Sequence, residues 1–206
     1  MTTPPHRSLQ AVSILLFSVV ATQIIYFLLS EMGAEINRMI IWTVEAVAFL
    51  GISVFALVDR FAERRFSVAL AAIAVGGMLN AIQVGMGLAM FPPLSEAGET
   101  MAPAFQSVLA GAFFLYFAGK FLFGAAAFQI GVHFFRDSGA LKVLGALTAL
   151  MGLVAMGINL FAMAQGMPLV FPAGLSGTIS TLLLAVVVAI MAKRGEGLTD
   201  PRSLRS

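Results

Sequence analysis

The run 111–135, GAFFLYFAGKFLFGAAAFQIGVHFF, is long and apolar enough to span a bilayer and carries a lysine, Lys120, near its middle. An ammonium at bilayer depth costs several kcal/mol unless it finds a partner or a water-filled cavity. Whatever this chain folds into must therefore arrange something particular around Lys120.

The remainder is ordinary bilayer-compatible sequence. Of 206 residues, 60% are hydrophobic and 11% charged, too few polar groups to cover a water-soluble domain of this length. The net charge of +2 resides in short loops, so it reports orientation and leaves no extended basic patch for DNA or RNA. The absence of cysteine excludes disulfides, thiolate metal sites and cysteine nucleophiles. With two histidines, His6 and His133, a bis-histidine haem would need a ligand from the N-terminal tail. No Ser-His-Asp set, His-Glu cluster or Gly-rich phosphate loop is present, so no catalytic residues, cofactor or metal are expected.

Six apolar segments are expected as transmembrane helices, at roughly 10–30, 39–58, 67–90, 104–135, 141–164 and 170–192, each able to cross a core of about 30 Å. The first follows a basic residue and superficially resembles a secretory signal. Its length and the Ser30-Glu31-Met32 sequence after it favour a retained helix. The fourth segment is long enough to tilt, or to lay its start along the interface. Arg7, Arg60, Arg64, Arg65, Arg136, Lys142, Lys193, Arg194, Arg202 and Arg205 fall on one side and Arg38 on the other, a ten-to-one split. Under the positive-inside rule this places both termini in the cytoplasm, with Glu31, Glu35, Glu96 and Glu99 outside. The expected organisation is all-α: a cytoplasmic tail at 1–9, a compact six-helix bundle at 10–192 and a flexible cytoplasmic tail at 193–206, in a bacterial inner membrane.

Small residues recur every four positions, as Gly77, Ala81, Gly85 and Ala89, Gly145 and Ala149, and Gly177 and Thr181, which predicts close helix packing. The first, third and fifth segments each carry an amide in their outer half, and Phe-Pro recurs at Phe91-Pro92 and Phe171-Pro172. These matches are too few to establish an internal repeat.

Counting from the segment ends puts Glu45 on the order of 10 Å below the outer surface and Lys120 near the midplane. The lysine stem reaches outward, so the two meet if the second and fourth helices are neighbours. Lys120 shares a helical stripe with Gln106, Phe113, Tyr116, Gly124, Ala127 and Gly131. If that face and those of Gln23, Asn80, Gln83 and Asn159 point inward, an amide-lined cavity opens outward around Glu45 and Lys120.

Two readings compete for this constellation: a structural ion pair with interhelical amide bonds, or a substrate or proton site. The candidate substrate- or ion-binding residues are Glu45, Lys120, Asn80, Gln83, Asn159, Gln23 and Tyr116. The favoured function is a small-solute or ion-coupled transporter or channel whose partners are the lipid bilayer and an unidentified small solute or ion. The alternatives are an accessory subunit working beside a membrane-protein partner or a second copy, and a membrane enzyme or cofactor-binding protein. A retinal Schiff base on Lys120 is disfavoured, because retinal proteins place the lysine in the last of seven helices. Methionine pairs such as Met86 with Met90 and Met163 with Met167 raise Cu(I), although methionine is also a routine gap-filler. His133 reads as an interfacial cap, and Trp42 and Tyr26 as interfacial anchors.

Overall fold

The computed structural model describes residues 7–33, 37–62 and 64–194, the side chains of 60–64 excepted. His6, Glu35, Arg202 and Arg205, with most of both expected tails, lie outside the described residues. Among the described residues seven α-helices follow one another: α1 (Arg7–Glu31), α2 (Arg38–Ala62), α3 (Ser67–Ala89), the short α4 (Phe91–Glu96), α5 (Ala102–Phe134), α6 (Gly139–Gln165) and α7 (Val170–Arg194). No strand occurs among the described residues. Six spans among the described residues are long and apolar enough to cross a membrane, the third running through α3 and α4 as Ser67–Glu96.

Local chemistry sets the boundaries. Pro92 and Pro93 lack the N–H that would continue α3 but fit the first turn of a new helix, so the chain breaks at Met90 and restarts as α4. Pro103 opens α5 in the same way. Gly166 ends α6 at φ 76°, a conformation that side chains with a Cβ rarely adopt, and donates its N–H to the Ala162 carbonyl. At about 1.5 Å per residue the 33 residues of α5 exceed a bilayer core, and their first turns are exposed.

The polarity of the bundle is inverted relative to a water-soluble protein. Ile14, Val47, Val68, Leu150 and Phe161 face outward with more than half their surface exposed, whereas Glu45, Asn80, Lys120, Thr148, Asn159 and Thr181 are buried. A continuous apolar exterior of this kind needs lipid as its solvent. The six long helices form an all-α bundle suited to a bilayer.

In that bundle α1 packs between α2 and α7, α3 joins α2 to α5, and α6 covers α5 and α7. Glycines set the closest approaches. A Cβ on Gly77 would collide with the Phe49 carbonyl of α2 at 2.9 Å, and one on Gly76 would meet the Gly119 carbonyl of α5 at 3.0 Å. Along the α5–α6 seam, Cβ atoms on Gly124 and Gly152 would each strike the other's carbonyl oxygen, at 2.9 and 2.6 Å, and Gly131 and Gly145 abut in the same way. The stripe at Gly77 and Gly145 thus packs as expected, whereas Gly85 faces open space.

Because consecutive helices run antiparallel, one end of the bundle gathers Arg7, Arg65, Arg136, Lys142, Lys193 and Arg194, and the other Glu31, Arg38, Glu96 and Glu99. At the basic end Arg194 pairs with Asp137 at 3.0 Å, Arg65 hydrogen-bonds the His133 ring at 2.8 Å, and Ser8 donates to the buried Asp59 at 2.5 Å. The histidine expected as a cap thus contacts an arginine, joining the turn before α3 to the end of α5. At the acidic end Trp42 is more than an interfacial anchor, lying against Gly87 and edge-on to Phe91.

Candidate functional site: a lysine-centred cluster among four helices

Lys120 is fully buried. Its stem lies across Gly177 of α7, where a Cβ would meet Lys120 Cδ at 2.8 Å and Cγ at 3.0 Å. Gly177 therefore does more than close a helix seam: it is the slot that admits the lysine. One turn earlier Gly174 faces the Tyr116 hydroxyl, 3.2 Å from an ideal Cβ, and the Lys120 ammonium lies 5.6 Å from the Tyr116 ring centroid. Helices α5 and α7 run parallel, so the Tyr116–Lys120 pair meets the Gly174–Gly177 pair in register.

The ammonium donates to Gln23 Oε1 at 2.9 Å, and Thr178 donates to the same oxygen at 2.8 Å. Next to Gln23 in α1, Thr22 donates to Glu45 Oε1 at 2.9 Å. Successive helical residues point about 100° apart, so this pair serves two neighbours at once. Thr22 turns to α2 and Gln23 to α7 and α5, as the position of α1 between α2 and α7 requires.

Glu45 and Lys120 do not form an ion pair. No contact within 4.0 Å joins them, although the charge of each acts on the other and that of Glu45 reaches Tyr116. Helix α2 touches α5 through stacked Phe49 and Phe123, ring centroids 6.3 Å apart, while α3 makes the extended contact with α5. The expected meeting of carboxylate and ammonium is replaced by a bridge through Thr22 and Gln23 of α1.

Lys120 also sits nearer the acidic end than its midplane assignment. It lies level with Gly177, seven residues into α7, or roughly 10 Å from that end. Helix α5 overshoots its neighbours there, so its middle is not level with the middle of the helices around it.

The other candidates lie around this cluster without joining its hydrogen bonds. Asn80 packs against Gly119 and donates to the Gly76 carbonyl of its own helix at 2.8 Å. Asn159 donates to Ala155 of its own helix at 2.9 Å and, at 3.4 Å, towards Ala173 of α7. Gln83 is half-buried. Asn80 Oδ1, Asn159 Oδ1 and Ser180 Oγ are buried with no hydrogen-bond partner among the described residues. Below Lys120 the same stripe is closed, because Gly124 and Gly131 are sealed against α6.

Thr22 and Thr178 complete the cluster and are not among the sequence candidates. Their signal is faint: hydroxyls beside an amide or a glycine in apolar helices, which ordinarily bond their own backbone. No cluster of three or more His, Asp or Glu able to hold a metal occurs among the described residues.

Comparisons with protein families, characterised proteins and solved structures return no match for this chain.

Proposed function

We propose that this protein is a small polytopic transporter or channel of a bacterial inner membrane, both termini cytoplasmic, whose solute- or ion-binding site is the cluster of Lys120, Gln23, Glu45 and Tyr116. Asn80, Asn159 and Gln83 line its surroundings. The ten-to-one division of basic residues between the two ends supports the orientation.

The observation that carries the reading is the state of Lys120. A fully buried ammonium has one hydrogen bond, to a neutral amide, and no carboxylate within 4.0 Å among the described residues. A purely structural network satisfies its members, because each unpaired buried polar group costs about 1–3 kcal/mol. Here Lys120 keeps two unused donors, and Asn80 Oδ1, Asn159 Oδ1 and Ser180 Oγ in the bundle interior have no partner among the described residues. Such unused hydrogen-bonding capacity at bilayer depth is what a passing solute or ion needs.

The test is flux through purified protein in liposomes, using a pH-sensitive dye inside and labelled potassium, nitrate and lactate as probes. Flux of at least one probe in wild type, abolished by Lys120→Met in a variant that elutes as a single folded species, is the expected result. Unchanged flux in that variant would contradict the reading.

A further inference from the structure

This inference rests on the transport reading and concerns what the site carries. Among the groups in direct contact with Lys120, which are the Gln23 amide, Thr178 through it and the Tyr116 ring, free donors outnumber free acceptors. Both lone pairs of Gln23 Oε1 are taken, by the ammonium and by Thr178 Oγ1. Left over are two ammonium donors, the Gln23 NH₂ group and the Tyr116 hydroxyl, which lies against Gly174. The acceptor that holds the lysine is a neutral amide oxygen on a rotatable side chain. A half-turn of that amide would withdraw the oxygen and present two more donors at the same place.

Glu45 is built to exist in two states. The Thr22 hydroxyl has one proton and two acceptors in reach, the Val19 carbonyl at 2.8 Å and Glu45 Oε1 at 2.9 Å. With Glu45 ionised, that proton goes to the carboxylate. With Glu45 protonated, its O–H donates to Thr22 Oγ1 while Thr22 donates to Val19, so every proton has an acceptor in either state. The ionisable groups whose charge interacts with that of Glu45 are Lys120 and Tyr116 of α5. Helix α3 has none along its length, α1 offers Thr22 there, and the ionisable groups of α7 are Lys193 and Arg194 at its far end.

We propose that the site binds a small monovalent oxyanion, of the carboxylate or nitrate type, on Lys120 and Thr178 in place of Gln23 Oε1, together with one proton on Glu45. A dry interior disfavours net charge. The Lys120 ammonium is offset either by the Glu45 carboxylate or by a bound anion with Glu45 neutral, whereas anion plus carboxylate leaves an excess negative charge. Anion and proton therefore enter and leave together, the proton coming from the solution that supplies the anion, with no covalent bond made or broken.

Titration of weakly buffered, detergent-solubilised protein with sodium nitrate and with sodium lactate tests this without any variant. About one proton should be taken up for each anion bound. In liposomes, labelled lactate should accumulate about tenfold per unit of inward acid gradient, the ratio one-to-one coupling sets. Lys120→Met should abolish anion binding, and Glu45→Gln should bind nitrate without proton uptake. Anion binding without proton uptake in wild type would overturn the coupling. Lys120-dependent potassium flux with no anion binding would overturn the anion assignment while leaving transport standing, and the absence of any flux or binding would overturn both.

Discussion

Lys120 and Glu45 each depend on the other for charge balance although neither touches the other. Removing one leaves its counterpart buried and less compensated, at a cost below the ~3–5 kcal/mol of breaking a buried contact pair, because Thr22 and Gln23 stand between them. Lys120→Met and Glu45→Gln should therefore each lower the thermal midpoint in detergent clearly. Gln129→Leu, at an exposed position of α5, should stay within about 0.5 kcal/mol of wild type. Equal midpoints for all three would mean the two charges are independent. Lys120, Glu45 and Gln23 were legible in the sequence because ionisable and amide groups stand out in apolar helices. Thr22 and Thr178 were not, since a hydroxyl that bonds its own backbone and one that bonds a neighbour look alike in sequence. The level of Lys120 among its neighbours was not legible either, because α5 extends past the helices against which its lysine packs.

At the scale of helices, the α5–α6 seam depends on missing side chains. Gly152→Leu would drive carbons into the backbone of Gly124 and Phe128, so it should destabilise by at least about 1–3 kcal/mol, as overpacking does, or prevent folding. Gly85→Ala, facing open space, should be neutral or slightly stabilising through helix propensity. Thermal midpoints of the two variants check both, and a tolerated Gly152→Leu would mean the seam is looser than described. The helices themselves were largely legible: the expected 10–30 and 141–164 became Arg7–Glu31 and Gly139–Gln165, because proline and glycine mark ends chemically. Their packing order was not legible. A small-residue stripe says that something comes close, without saying which helix, and the stripe through Lys120 proved to serve α7 above and α6 below.

For the molecule as a whole, the inverted polarity and the segregation of basic residues lead to a topology that a cysteine-free chain makes convenient to examine. Single cysteines at the exposed positions Ser95, near the acidic end, and Ser138, near the basic end, sit on opposite sides of the proposed membrane. A membrane-impermeant maleimide should label Ser95→Cys in intact cells and Ser138→Cys only after permeabilisation; the reverse pattern would invert the orientation.

The central claim, that the lysine-centred cluster serves transport rather than architecture, is tested most directly by the double variant Glu45→Gln/Lys120→Met. Removing both charges together leaves no uncompensated ion, so the protein should fold with stability within about 1–2 kcal/mol of wild type, as buried pairs replaced by neutral groups often do. Flux of nitrate, lactate, potassium and protons into liposomes should fall to the level of empty vesicles. A folded double variant that still carries the wild-type flux would contradict the claim and leave Lys120 and Glu45 as a structural network.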